Sequence, residues 1–288
     1  MNDFSNEEFT NMLSEMEKEA TAGSFVSPYW KPNGDGTFKL RIITPLKQFD
    51  EKIFYNKHKM HYVNNRAYFC LNQTLKDKNG NIHEAEMCPI CQKSKQIYNV
   101  SQKGTEDWSI AGSLRAKDRY VSRVIVRGKK DKDGNDVEYK PEFWEFGSKI
   151  HEYFFSAIKM GEYGNFLSLK EGRDYNLVKK GTGRSTSYDG SCLSVQQSPI
   201  FTDPEKLKKL LEELPKMEYS QLVEFVSPDE MKAALEEMFN GSTAEENTTV
   251  SAPANDQLNP FSQTASVNPT PTTTVEEEND IDSLLNMI

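Results

Sequence analysis

Four potential metal ligands constrain the fold of this chain more than any other feature. His61 and Cys70 are followed by Cys88-Pro89-Ile90-Cys91, which gives the spacing H-x8-C-x17-C-x2-C. A C-x2-C turn lets two thiolates occupy adjacent corners of a tetrahedron, and the distant pair supplies the other two corners. Pro89 restricts the backbone between the two cysteines. Three thiolates and one imidazole, with no spare carboxylate nearby, predict one structural zinc ion with no open coordination position.

The histidine ligand is less certain than the cysteines. His61 lies on a predicted strand that would pair with the strand of Cys70, whereas His58 lies three residues away on the opposite face. His83, in a polar loop, is the alternative ligand. A redox C-x-x-C pair would need a strand-to-helix junction in a βαβ pattern, and the sequence shows no such pattern. Ordinary buried thiols that bind no metal are the remaining alternative. Cys192 has no partner in this pattern, and we expect it to be a small core residue.

Charge is distributed unevenly, so the net charge of -9 hides a basic middle. Residues 1–21 contain one lysine against six acids, residues 22–200 contain 29 Lys and Arg against 20 Asp and Glu, and residues 201–288 contain five bases against 18 acids. A basic middle between acidic ends predicts a core that binds a polyanion and whose own ends compete for the site.

Composition indicates a protein that does not cross a membrane. Hydrophobic residues make up 36% of the chain and the mean hydropathy is -0.72, so the core is smaller than the length suggests. No run approaches the roughly 18 apolar residues of a membrane span, and the polar, acidic N-terminus is unlike a signal peptide. We therefore expect a soluble protein of a reducing compartment.

The middle of the chain has mostly strand-like periodicity, interrupted by glycine and asparagine turns. Strands are predicted at residues 38–43, 52–63, 67–71, 120–127, 138–146, 175–180 and 193–197. A helix is predicted at 148–160, and two more follow, one with a leucine stripe after Asp203-Pro204 and one from Ser227 to Gly241. This order predicts a mainly β protein with helices, of the α+β class, built on a small barrel or curved sheet.

Both ends of the chain are predicted to lie outside the core at 22–241. Residues 1–21 read as an amphipathic helical arm that packs either on its own core or on a neighbouring subunit. Residues 242–275 are rich in Thr, Ser, Asn, Pro and Ala and predict a disordered linker. Residues 276–288 combine acidic and apolar side chains, which predicts a partner-docking tail; a merely solubilising tail is the alternative. The predicted docking residues are Asp280, Ile281, Asp282, Leu284 and Leu285.

Basic and aromatic residues interleave through the middle segment. Proteins that bind single strands combine cations along a groove with aromatic faces on which bases stack. Residues 179–184 also have a weak likeness to a phosphate-binding loop, without the spacing of the P-loop motif. The predicted nucleic-acid contacts are Tyr98, Trp108, Arg115, Lys117, Arg119, Tyr120, Arg123, Trp144, Lys149, Lys179, Lys180, Arg184 and Tyr188.

The order of these segments resembles the single-stranded DNA-binding (helix-destabilising) proteins of the T-even-type phages, across nearly the whole chain. Five short segments carry the resemblance. They are His61 to Cys70 with the Cys88–Cys91 turn, the basic stretch Arg115 to Arg127 around Tyr120, Trp144-Glu145-Phe146-Gly147-Ser148-Lys149-Ile150, Ser187-Tyr188-Asp189, and Asp280 to Asn286. Trp144 stands where the family usually has a tyrosine.

The resemblance implies an OB-fold core with a zinc-binding subdomain at about 53–98 and no enzymatic activity. It further implies non-specific single-stranded DNA binding in replication, recombination and repair, inside the host cytoplasm, with replication and recombination proteins recruited by the tail. A zinc-containing nucleic-acid-processing enzyme and a replication adaptor are the rival functions. The family's N-terminal arm is basic and drives cooperative binding, whereas this arm is acidic, so self-association would need another route.

Overall fold

The computed structural model describes residues 27–241, and these residues contain ten β-strands and five α-helices. The strands are β1 (Tyr29–Trp30), β2 (Gly36–Ile42), β3 (Tyr55–Val63), β4 (Arg66–Phe69), β5 (Leu75–Lys76), β6 (Ile82–His83), β7 (Lys117–Val126), β8 (Glu142–Phe146), β9 (Gly172–Lys179) and β10 (Cys192–Ser198). The helices are α1 (Pro89–Val100), α2 (Glu106–Leu114), α3 (Ser148–Met160), α4 (Pro204–Glu213) and α5 (Pro228–Gly241). The predicted α+β class is confirmed.

Eight of the strands form one sheet. The path runs β1-β8-β7-β2-β9-β10, and β3 pairs with both β7 and β4. Strands β2, β7, β8, β9 and β10 are antiparallel neighbours, with β2 between β7 and β9. Five strands in this order, with the first between the second and the fourth, form the partly open Greek-key barrel of an OB-fold. Strand β1 extends the path in parallel beside β8.

The main hydrophobic core lies between the inner face of this sheet and helix α3. Phe154, which is 1% exposed, projects from α3 onto Tyr175 of β9 and Phe146 of β8. Tyr120 and Trp144 belong to the same buried cluster. Alternation along a strand places every second residue on this face. The aromatic residues of β7 and β8 at even-numbered positions are therefore interior.

A long insertion between β2 and β7 forms a second hydrophobic cluster. It contains the hairpin β3–β4, whose turn residues Asn64 and Asn65 both have positive φ, as a tight two-residue hairpin turn requires. Helices α1 and α2 pack on this hairpin, and α5 closes it from the C-terminal side. Met231 of α5 is fully buried, and the Asn64 amide donates to the Ala234 carbonyl at 3.2 Å. The insertion and the end of the core are thus one packed unit.

Both predicted C-terminal helices are confirmed, with their caps. The Asp203 carboxylate accepts from the Glu205 amide at the start of α4. Ser227 and Glu230 form a reciprocal capping box at the start of α5: the Ser227 hydroxyl accepts from the Glu230 amide, and the Glu230 carboxylate accepts from the Ser227 amide. These short-range hydrogen bonds explain why the helix starts could be read from sequence.

Other elements differ from the expectation. Helices α1 and α2 were not predicted, because α1 is mostly polar and buries only Pro89, Ile90 and Ser94. The strand expected at 138–146 begins only at Glu142, because a turn occupies residues 138–140: the Lys140 amide donates to the Val137 carbonyl at 3.0 Å. Cys192 is exposed instead of buried. Its neighbour Leu193, at 2% exposure, takes the inward position of β10.

The predicted arm at 1–21, linker at 242–275 and docking tail at 276–288 lie outside the described residues. Among residues 27–241, helices of the length and apolar character needed to cross a bilayer are absent.

Candidate metal centre and nucleic-acid interface

Four side chains of the insertion converge on one point. The ligand atoms of His61, Cys70, Cys88 and Cys91 all lie within 4.8 Å of one another. The Cys70 and Cys91 sulfurs are 3.6 Å apart, and His61 Nε2 lies 3.4 Å from the sulfurs of Cys88 and Cys91. Zinc–sulfur bonds of about 2.3 Å place neighbouring corners of a tetrahedron about 3.8 Å apart. The group fits a metal ion, and three thiolates with one imidazole are a closed structural donor set.

Local structure orients each ligand. His61 comes from β3, and Cys70 directly follows β4, its hairpin partner. Cys88 is the N-terminal cap of α1, and Cys91 lies in the first turn after Pro89. The His61 Nδ1–H donates to the Leu114 carbonyl at 2.7 Å, which leaves Nε2 facing the sulfurs. A second partner of this kind selects the tautomer of a metal-binding histidine.

Proton equilibria in the cluster match a metal site. Burial lowers the pKa of His61, but hydrogen bonds with the Cys70 and Cys88 thiols outweigh it and raise that pKa to about 9. Hydrogen bonds from Cys70 and Cys91 lower the pKa of the Cys88 thiol. A metal ion binds thiolates and a neutral imidazole, so binding at this cluster is expected to release protons.

The alternative histidines are placed elsewhere. His83 Nε2 lies 3.0 Å from the Asp77 carboxylate, and the His83 ring stacks on Phe225 with centroids 3.7 Å apart. His58 lies on the face of β3 opposite to His61, where Nε2 is 3.7 Å from Glu145. Of the two candidates from sequence, His61 is thus the histidine that faces the three cysteines.

The outer face of the sheet carries the candidate nucleic-acid interface. His58 of β3 pairs in register with Arg119 of β7, and Val121 pairs with Glu145 of β8, so these side chains share the outer face. Helix α4 and the turn after it cover the far end of β7, where Ile125 is buried. The other end of β7, near Lys117, is not covered by α4. In OB-folds, ligands bind on the face of the second and third strands, which here are β7 and β8.

Arg119 lies at the middle of this open region. Its Nε–H donates to the Tyr62 hydroxyl at 2.9 Å, and its guanidinium lies 5.3 Å from the centroid of the Tyr62 ring. The Lys117 ammonium is 5.7 Å from the same ring. Burial raises the pKa of Tyr62, and the nearby Glu145 adds to that rise, so the phenol stays neutral. A cation pair beside a neutral aromatic ring can neutralise phosphates and stack a base.

Loops on either side complete the region. Tyr188, on the β9–β10 loop, lies close enough to Arg119 for the guanidinium to lower its pKa, although burial raises it overall. A Cβ at Gly147 would lie 3.3 Å from Arg119 Nη1, so the β8–α3 junction approaches the arginine closely. Tyr29 of β1 adjoins Glu145, which together with burial raises the pKa of Tyr29. We call Tyr29, Tyr62, Lys117, Arg119 and Tyr188 the Arg119 surface.

Three predicted contacts are interior, and burial corrects the expectation for them. Tyr120 is 4% exposed and stacks on His151 with centroids 4.0 Å apart. Trp144 is 3% exposed within the main core. Arg123 is 2% exposed, pairs with Glu51 at 2.8 Å and lies 4.1 Å from the centroid of the Tyr219 ring. Their side chains face the protein interior, so they do not form part of the Arg119 surface.

The remaining predicted contacts fall into four places. Tyr98 and Trp108 pack edge to face on the α1–α2 pair, with centroids 4.5 Å apart. Arg115 and Lys149 are exposed, Arg115 before β7 and Lys149 at the start of α3. Three more belong to the end of β9 and the loop that follows it. They are Lys179, whose ammonium donates to the Pro32 carbonyl at 3.2 Å, Lys180 and Arg184.

Tyr62 and Tyr29 were missed from sequence. Tyr62 directly follows His61, and alternation along β3 places its side chain on the face opposite to the cysteine cluster. That signal was available in the sequence. Tyr29 precedes the first long strand and reaches the Arg119 surface only because β1 pairs with β8. A pairing between residues so distant in the chain has no local sequence signature.

Comparison with known protein families shows which family the chain belongs to. The family described as gp32 DNA binding protein like matches residues 34–240, which is more than half of the 288 residues. The chain belongs to this family. No curated protein matches the chain. Membership in the gp32-like family supports a single-stranded DNA-binding role, and the matched residues include both the metal cluster and all of the Arg119 surface except Tyr29.

Proposed function

We propose that this gp32-like protein coats single-stranded DNA without sequence specificity during viral DNA replication, recombination and repair, and that it catalyses no reaction. The observation that carries the proposal is the Arg119 surface on the outer face of β7 and β8. Cations there neutralise phosphates, and the rings of Tyr62 and Tyr188 stack on bases of any identity. Because every base has a π-face, such contacts favour coverage over recognition of a sequence.

In this proposal the metal is zinc and its role is structural. His61 and the three cysteines fill a tetrahedron, so no coordination position is left for water or substrate. When bound, the ion cross-links β3, β4 and α1. Tyr62 lies next to His61 on β3. The metal therefore stabilises the strand that carries Tyr62 from the opposite face of β3, without touching the nucleic acid.

The division of the chain is also a proposal. The arm at 1–21 serves self-association on DNA, the core spans 22–241 with a zinc-binding subdomain at about 53–98, and a disordered linker at 242–275 leads to the docking tail at 276–288. The tail residues Asp280, Ile281, Asp282, Leu284 and Leu285 recruit replication and recombination proteins. The expected location is the cytoplasm of the host cell.

A salt-dependent titration tests the function. The zinc-loaded full chain is titrated with oligo-dT by tryptophan fluorescence at several salt concentrations. We expect affinity to fall steeply with salt, because bound cations release the counterions of the phosphates. Arg119→Ala should weaken binding by about five- to tenfold and reduce the salt slope by about 1.

Lys208→Ala is the matched control, since Lys208 is exposed on α4 and remote from the open end of β7. Its affinity and salt slope should equal those of the unmodified chain. Absence of oligo-dT binding at low salt, or an Arg119→Ala variant that binds normally, would show that the function or its location is wrong.

A further inference from the structure

A cavity of about 300 Å³ opens on the same outer face of the sheet, directly beside the Arg119 surface. Its floor includes Asn56 and His58 of β3 with Val121 of β7, and Arg119 is the register partner of His58. The turn Tyr219–Leu222 forms the opposite wall. The volume is at the lower end of the range of about 300–1,000 Å³ for small-molecule sites. A strand bound at Arg119 would therefore lie close to this cavity.

Most polar groups of the cavity wall already have partners in the protein. Glu218 pairs with the Lys76 ammonium at 2.6 Å, and Glu51 pairs with Arg123. Both amide atoms of Gln73 bond to the backbone of Lys59. Such satisfied groups shape the wall but offer little to a ligand.

Two groups remain available. His58 is 6% exposed, and its Nε2 has no hydrogen-bond partner within the described residues, since Glu145 at 3.7 Å is too far. The Asn56 amide, two residues earlier on the same face, makes no hydrogen bond to the described residues. A buried polar nitrogen without a partner is costly and needs an explanation. Asn56 and His58 together offer a donor and acceptor pair at the cavity floor.

Apolar side chains form the rest of the lining. The Phe69 ring lies beside His58 with centroids 5.0 Å apart, and Leu75 and Val223 add aliphatic surface. Tyr219 is held in place by Arg123, whose guanidinium stacks on its ring. Aromatic rings combined with a few free polar groups are the chemistry that recognises a nucleobase, which presents apolar faces and a polar rim.

We propose that this cavity receives one unstacked base of the bound single strand, with Asn56 and His58 at its polar edge. This inference rests on the proposed function, because the strand must first lie on the Arg119 surface. The base enters between Phe69 and Tyr219, and its edge supplies the missing partner of His58 Nε2. Each bound protein then holds one base of the strand apart from its neighbours.

The test compares oligo-dT with an abasic oligonucleotide of equal length, which keeps the phosphates but has no bases. Asn56→Ala removes an exposed amide, and Thr74→Phe puts a ring at the rim of the cavity. Asn56→Ala should bind oligo-dT about three- to tenfold more weakly, the range for one lost hydrogen bond of ordinary strength. Thr74→Phe should also weaken oligo-dT binding, because its ring hinders entry of the base. Both should bind the abasic strand as the unmodified chain does. Gln197→Ala, an exposed amide on β10, should change neither affinity.

Different outcomes would contradict the base site and the DNA-binding function. Normal oligo-dT binding by both cavity variants, or equal losses on the dT and abasic strands, overturns the base site while the salt-dependent binding stands. Loss of all oligo-dT binding by the unmodified chain overturns both. Because Asn56 and Thr74 are exposed, the thermal midpoint of each variant should match the unmodified chain, which excludes misfolding as the cause.

Discussion

Trp144 and Tyr62 are aromatic residues of the same sheet with opposite surroundings. Trp144 is 3% exposed and packs on Phe146 and Tyr175, with ring centroids 4.8 and 5.8 Å away. Tyr62 lies on the outer face beside Arg119. Both residues occur near basic residues in the sequence, so proximity to charge does not separate a core ring from a stacking ring.

Substitution of these two aromatics should separate stability from binding. Trp144→Ala should lower the free energy of unfolding by about 3–5 kcal/mol, because it removes a large buried side chain from the main core. Tyr62→Ala should weaken oligo-dT binding by about 1–3 kcal/mol, through loss of a stacking ring. Denaturant unfolding and oligo-dT titration measure the two effects.

Tyr62→Phe is the control, since it keeps the ring and removes the hydroxyl that Arg119 contacts. It should bind oligo-dT much closer to the unmodified chain than Tyr62→Ala does. A Trp144→Ala variant of unchanged stability would contradict its place in the core, and an equal loss from both Tyr62 variants would argue against stacking.

Helix α1 is the element that we expect to depend most on a bound metal. Its N-terminal cap is Cys88, Cys91 lies in its first turn, and it buries few apolar side chains of its own. The OB-fold strands, in contrast, share a separate hydrophobic cluster with α3. The energy of metal binding is therefore expected to stabilise the insertion more than the barrel.

Removal of the metal should loosen the insertion first. A zinc chelator should lower the thermal midpoint and increase amide hydrogen exchange in β3, β4 and α1, with smaller changes in β9 and β10. Exchange followed by mass spectrometry measures this difference. Cys91→Ser should act in the same direction as the chelator.

Cys192→Ser is the matched control for the same chemistry, because this thiol is exposed and outside the metal cluster. It should keep its zinc and its thermal midpoint. A chelator that leaves exchange unchanged throughout the insertion would show that the cluster does not hold a structural ion.

The distribution of charge along the chain is a property of the whole molecule. Residues 242–288 contain eight acids and no Lys or Arg, whereas the middle of the chain is basic. An acidic segment tethered to a cationic surface competes with phosphates for it, and salt screens that competition.

Deletion of residues 242–288 should therefore tighten binding to oligo-dT, by about five- to tenfold at low salt and less as salt rises. Titrations of the full and shortened chains over one salt series measure the difference. Equal affinities at every salt concentration would refute competition by the tail. A chain that lacks residues 242–275 but keeps the acids at 276–288 distinguishes the effect of the tail's charge from the effect of its length.

Short-range patterns in the sequence were enough for several features. The spacing of the cysteines predicted the metal cluster, because both thiolates of a C-x2-C turn come from one local bend. The caps of α4 and α5 could be read directly, since each hydrogen bond joins residues no more than three apart. The strand order of an OB-fold came from resemblance, and the observed pairings agree with it.

Tertiary structure decided what depends on distant residues. Alternation in β7 and β8 separates two faces, but it does not tell which face a helix will cover. Helix α3 covers the even-numbered face and buries Tyr120 and Trp144, while α4 and the turn after it cover Arg123 and leave Arg119 open. The choice of His61 over His83 likewise depends on how the hairpin folds back on α1. Spacing along the chain therefore determined the four candidate metal ligands, and packing between distant segments determined which aromatic and basic residues face the core and which face the open surface.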